Sequence, residues 1–125
     1  MPLYIVEKLI DGVTVLDLRG RVVLGPETAH LREKVRDVIA SGQLRIILKL
    51  EGVNYIDSAG LSTLVGCLVS TRAAQGDLRL THLAARVRDL LQITHLSTIF
   101  ETYASVEEAL TSFIRRPSPP SAPMA

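Results

Sequence analysis

The hydrophobic pattern of this chain changes its period along the sequence, and this change restricts the possible fold more than any other feature. Two apolar runs, Leu3 to Ile10 and Val13 to Leu18, are separated by the dipeptide Asp11-Gly12. Asp-Gly favours a tight hairpin turn, because both central residues of that turn need a positive φ. The chain is therefore predicted to begin with a β-hairpin.

Helical and strand patterns alternate after the hairpin. Gly20 is predicted to end the second strand, and Pro26 with an acidic neighbour indicates the start of a helix. The first helix is predicted to end at Ser41-Gly42, and a buried strand from Arg45 to Leu50 and a loop from Glu51 to Asp57 follow it. The next predicted elements are a helix from Ser58 to Gly76, a strand from Leu78 to His82 and a helix from Ala84 to Gln92. A strand from Thr98 to Glu101 and a helix that begins with a capping box at Ser105 to Glu108 and continues through Phe113 complete the prediction. The order predicts an α/β domain with a mixed, largely parallel sheet and helices packed against it.

The domain is predicted to cover residues 1–114. Residues 115–125 hold four of the six prolines and have no apolar periodicity, so they are predicted to form a disordered tail. In open α/β sheets, ligands and partners usually bind beyond the carboxyl ends of the strands, and the predicted loop over residues 51–58 is one such position.

Composition removes several classes of function. The net charge of +1 gives no strong field for nucleic acid, and aromatic residues at 4% with no tryptophan offer no stacking platform for bases. The sequence shows no secretory signal and no apolar stretch long enough to cross a membrane. We expect a soluble, cytoplasmic protein that binds no nucleic acid and does not insert into a membrane.

The segment from Asn54 to Leu61, Asn-Tyr-Ile-Asp-Ser-Ala-Gly-Leu, carries the most information about function. On local physics alone, Asp57 or Ser58 caps the helix with a side-chain oxygen, and Gly60 permits close packing. A serine at such a turn is also exposed beside free helix amides, which favour an anion. A phosphate on Ser58 would add a charge of about −1.5 to −2, which the helix would tolerate better than a docked partner would.

This segment resembles the signature of anti-sigma-factor antagonists, the soluble bacterial members of the STAS domain family. The resemblance extends over about residues 3 to 113. It implies a non-enzymatic regulator that binds an anti-sigma factor of the serine-kinase type, is switched off by phosphorylation of Ser58, and is restored by a serine phosphatase. The resembled antagonists often have an acid shortly after the hairpin glycine, whereas the stretch from Gly20 to Leu24 has none.

The same resemblance places the partner-binding surface at the start of the second helix. The residues assigned to it are Asn54, Tyr55, Asp57, Ser58, Ala59, Gly60 and Leu61. No cofactor, no metal and no catalytic residue are expected. An alternative within the family is a docking or scaffold subunit of a stress-signalling or membrane transport complex, which would use this surface without a phosphate cycle.

Enzymatic interpretations have less support from the residues. A serine hydrolase needs Gly-x-Ser-x-Gly at its nucleophile, but an isoleucine precedes Asp57, and the candidate bases His30, His82 and His95 are scattered. No phosphate-binding glycine loop and no paired metal-ligand spacing are present. Cys67, which falls beside the apolar stripe of the second helix, is interpreted as a buried structural thiol.

Overall fold

A computed structural model of the protein describes residues 3–115 and contains a five-stranded sheet. The strands, in both chain and spatial order, are β1 (Tyr4–Ile10), β2 (Val13–Val22), β3 (Arg45–Ile56), β4 (Asp77–Thr81) and β5 (Glu101–Tyr103). β1 and β2 are antiparallel, and every later pair is parallel. The predicted hairpin and the mixed, largely parallel sheet are therefore confirmed.

The helices lie on both faces of this sheet. They are α1 (Pro26–Ala40), α2 (Ser58–Ala73), α3 (Ala85–Ile93) and α4 (Val106–Arg115), with a short 3-10 turn at Leu96–Thr98. The main core joins α1, α2 and α3 to one face, where Leu16, Leu48 and Leu80 are fully buried. A smaller core places Phe113 of α4 against Ile47 on the opposite face. The C-terminal helix therefore covers the face that the other helices leave open.

Two strands are longer than the sequence predicted. β2 does not end at Gly20 but continues to Val22, and the predicted loop after Leu50 is strand as far as Ile56. Gly20 has a φ of 120°, and the register of β2 against β3 shifts on both sides of it. At both shifts the extra residue lies on β3, because β3 advances one residue more than β2. Such bulges let a strand bend and continue, and glycine adopts the positive φ on β2 without strain. The two extended ends pair with each other, which carries both strands to the edge where α2 begins.

The last strand was also predicted in the wrong place. Leu96–Thr98 forms a 3-10 turn, and β5 covers Glu101–Tyr103. The buried Arg79 on β4 lies 3.5 Å from the Glu101 carboxylate and 3.7 Å from the centroid of the Phe113 ring. This ion pair between β4 and β5 is a long-range contact that the local apolar pattern does not show.

The C-terminal capping box is confirmed, with one difference in its second bond. The Glu108 amide donates to the Ser105 hydroxyl at 3.1 Å, as expected. The Glu108 carboxylate accepts from the amide of Ala104, one residue before the serine. The predicted tail lies almost wholly outside the described residues, which end with the backbone of Arg115.

Candidate functional site

The turn between β3 and α2 is held by one carboxylate. Asp57 is the N-cap of α2, and its Oδ1 accepts a hydrogen bond from the Gly60 amide at 2.7 Å. Its Oδ2 accepts from the Leu24 amide at 3.0 Å, and its own amide donates to the Val22 carbonyl at 3.3 Å. A single side chain therefore caps the helix and joins it to the loop that follows β2.

These hydrogen bonds also favour the charged form of Asp57. The Leu24 amide, and after it the Gly60 amide, stabilise the ionised carboxylate and hold its pKa below the usual value of 3.8. Asp57 is therefore an anion at neutral pH. Any second negative charge placed at this turn adds to one that is already present.

Ser58 is the first residue of α2, and it is exposed. Within residues 3–115, its hydroxyl makes no hydrogen bond to the rest of the protein. The helix cap comes from Asp57, so the serine is not needed for that purpose. Its hydroxyl is thus open to solvent at the positive end of the helix dipole.

Gly60 and Leu61 face the interior of the protein. A Cβ atom at Gly60 would lie 1.9 Å from the carbonyl oxygen of Val22, so only glycine lets α2 approach the end of β2 this closely. Leu61 is buried in the main core. Of the other sequence-assigned residues, Asn54 and Tyr55 are exposed, as Ser58 is, while Asp57 and Ala59 are half-buried.

Apolar and charged side chains lie around the turn. The side chains of Leu24, Tyr55 and Ile93 are exposed by 76%, 41% and 76%. The Arg21 guanidinium lies 5.3 Å from the centroid of the Tyr55 ring, a cation–π contact. Arg86 and Asp89 line a groove of about 340 Å³ between Tyr55 and Ile93. The periodic pattern of the sequence does not identify Leu24 or Ile93, because an isolated exposed apolar residue has no signature in such a pattern.

A family model described as "STAS domain" matches residues 4–109 of this chain. The chain belongs to the STAS domain family. A Bordetella bronchiseptica protein named as an anti-sigma factor antagonist, BtrV, is 32% identical over 83% of this chain and 89% of its own length. A Thermotoga maritima protein named in the same way is 30% identical over 87% of this chain and 96% of its own length.

Solved structures agree with this STAS assignment. A crystal structure from Thermotoga maritima, also named as an anti-sigma factor antagonist, has a TM-score of 0.82 at 26% identity, covering 90% of this chain and 95% of that one. The anti-sigma factor antagonist SpoIIAA in its unphosphorylated form has a TM-score of 0.69 at 19% identity, covering 90% and 99%. At that identity, the likeness to SpoIIAA concerns the fold alone.

The remaining candidate groups of this STAS domain are dispersed. His30 lies on α1, and His82 and His95 each have a positive φ in a turn. In the described part of the chain, none of them bonds to Ser58, and no cluster of three or more potential metal ligands occurs. None of the described helices could span a membrane. Cys67 is buried, and desolvation raises the pKa of its thiol to about 11.

Proposed function

We propose that this protein is a cytoplasmic anti-sigma factor antagonist that acts by binding. In its unphosphorylated state it binds an anti-sigma factor of the serine-kinase type, and phosphorylation of Ser58 releases that partner. The observation that carries the proposal is an exposed Ser58 hydroxyl, beside the ionised Asp57, on a turn that Asp57 caps and ties to the loop after β2. Relatives named as anti-sigma factor antagonists, 30–32% identical over most of the chain, support the partner class.

Electrostatics explains how one phosphate can separate the two proteins without unfolding this one. The positive end of the α2 dipole favours a phosphate at Ser58, so the fold retains its stability. The phosphate adds about −1.5 to −2 charge next to the ionised carboxylate of Asp57. A partner docked on this turn would have to bury both charges, and burial of unpaired charge is costly. SpoIIAA, a structural neighbour, has been solved in both unphosphorylated and phosphorylated forms.

The proposed partner surface consists of the exposed part of the sequence motif and the side chains around it. Asn54, Tyr55, Asp57, Ser58 and Ala59 supply direct contacts, while Gly60 and Leu61 set the position of the turn from inside. Ile93 adds apolar area beside Tyr55, and Leu24 adds it beside Asp57. Tyrosine is among the residue types that most often supply a large share of the affinity of an interface.

The test compares partner binding by three protein variants, two at Ser58 and one at another exposed serine. Tagged Ser58→Ala protein is used to capture partners from the host, and a captured protein kinase is then purified. We expect Ser58→Ala to bind this kinase at least as tightly as wild type, and Ser58→Asp to bind at least about tenfold more weakly. Ser97→Asp, which adds the same charge at another exposed serine, should bind like wild type.

Transfer of phosphate is measured separately. The kinase with ATP should add one phosphate to wild-type protein and none to Ser58→Ala, and a serine phosphatase should restore binding. If all three variants bind equally and no phosphate is transferred, the switch is refuted. The protein would then be a constitutive docking or scaffold subunit that uses the same surface.

A further inference from the structure

A second surface adjoins the Ser58 turn. It is a groove of about 530 Å³ between α1 and α2, and Ala59, the residue after Ser58, forms one end of it. Gly66 lies in the middle of its α2 wall, between Ser62 and Ser70. Arg32 and Arg36 contribute from α1. The groove is therefore continuous with the proposed partner-binding turn.

The glycine at the centre of this groove is not required by the fold of the protein itself. Gly66 lies inside α2, where glycine is less favourable than alanine because its backbone loses more conformational freedom on folding. A Cβ atom built at Gly66 meets nothing within 4 Å, in contrast with Gly60, where the Val22 backbone leaves no room. The missing side chain instead keeps the α2 backbone accessible from the groove.

The outward side of α2 is nearly free of charge. Arg72 is its one charged residue in the sixteen from Ser58 to Ala73, and the exposed Ser62, Gly66 and Ser70 are all small. A surface of small, uncharged side chains loses little hydration on contact, and it lets another backbone approach closely. These features are typical of a helix that packs against a partner.

The charged residues on the α1 side of the groove are both arginines, so their charge is positive. Arg32 and Arg36 are four residues apart on α1, and so lie one helical turn from each other on the same face. Arg32 donates weakly to the Thr63 hydroxyl at 3.4 Å, and neither arginine forms an ion pair within residues 3–115. No acidic residue lines the groove. Charge complementarity therefore favours an acidic ligand.

We infer that this groove binds an acidic helical segment of the same anti-sigma factor, which makes the inference dependent on the proposed function. The partner helix lies over Gly66, and carboxylates one turn apart on it pair with Arg32 and Arg36. Arginine is well suited to this pairing because its planar guanidinium bonds a carboxylate in a bidentate manner. The groove holds the partner independently of Ser58, so the two surfaces contribute separately to affinity.

The test measures the affinity of the purified kinase, bound to a non-hydrolysable ATP analogue, for charge-reversed protein. We expect Arg32→Glu with Arg36→Glu to raise Kd at least about tenfold and to reduce its dependence on salt. The matched control is Lys8→Glu with Arg45→Glu, which makes the same change in net charge on the α4 side of the sheet. An unchanged Kd for the groove variant, or an equal loss in the control, overturns the inference.

Two further variants add a leucine side chain inside or outside the groove, which tests the groove without a change of charge. Gly66→Leu fills the groove and should weaken binding, whereas Ala73→Leu adds an exposed leucine to the same helix outside the groove and should not. Thermal unfolding of each variant checks that the fold is intact. Normal binding by folded Gly66→Leu counts against the groove.

The outcomes separate this inference from the proposed function. Weakened binding by Ser58→Asp with normal binding by both groove variants retains the switch and rejects the groove. Weakened binding by the groove variants with no effect of Ser58→Asp retains the groove and rejects the switch. If wild-type protein binds no serine-kinase anti-sigma factor at all, both proposals fail.

Discussion

Replacement of glycine by alanine is expected to have opposite effects on stability at Gly60 and at Gly66, two positions of the same helix, α2. At Gly60, an added methyl group would lie 1.9 Å from the Val22 carbonyl oxygen, where real contacts are not closer than 3.0 Å. The helix and strand must therefore separate by about 1.1 Å. At Gly66 the methyl group meets nothing within 4 Å. Alanine therefore clashes with the backbone at Gly60, whereas at Gly66 it increases helix propensity without a clash.

The magnitudes follow from these two surroundings. The obstacle at Gly60 is backbone, and its carbonyl also accepts the Asp57 amide, so relaxation must disturb the cap. We expect Gly60→Ala to lower the free energy of unfolding by about 3 kcal/mol, the upper part of the usual range for overpacking. Gly66→Ala should raise it by about 0.5–1 kcal/mol. For a chain of this length, the first change corresponds to a fall in Tm of roughly 10 °C.

The assay is urea unfolding followed by far-ultraviolet circular dichroism, with wild type and both variants measured together. Equal m-values would show that the midpoint shifts report stability alone. If Gly60→Ala unfolds within about 0.5 kcal/mol of wild type, the close approach of α2 to β2 is wrong as described. Gly66→Ala also serves as the control for the general effect of replacing a helical glycine.

Two further predictions concern titratable groups. Because the pKa of Asp57 is lowered in the folded state, its ionised form stabilises the protein above the unfolded pKa, and this contribution is lost as pH falls through the folded value. Asp57→Asn should therefore lower the urea midpoint at neutral pH, with a smaller difference at about pH 3; a difference that does not depend on pH would contradict this account. Because burial raises the pKa of Cys67 to about 11, iodoacetamide at about pH 8 should alkylate native protein far more slowly than urea-unfolded protein. Intact mass over time measures this, and equal rates would show that the thiol is accessible.

The sequence predicted those parts of the molecule that depend on neighbouring residues. The Asp11-Gly12 hairpin and the order of strands and helices are confirmed. The start of α1 at Pro26 and the cap at Ser105 are also confirmed. In each case, the backbone conformation or the hydrogen bond involves residues within about four positions of each other, so the pattern of residue types is sufficient. The position of Ser58 at the start of α2 was predictable for the same reason.

The strand ends and the surroundings of Ser58 depend on residues far apart in the chain. The segment from Glu51 to Ile56 has the residue pattern of a loop, but β3 continues through it because Gly52, Val53, Tyr55 and Ile56 pair with β2 alongside. The Asp57 carboxylate accepts from Leu24, thirty-three positions earlier. Arg32 and Gly66 lie on different helices, and they share a groove only because α1 and α2 pack side by side on the sheet. The periodic pattern predicts which face of a helix or strand is buried. Which other element packs against that face is determined by the packing of the whole chain.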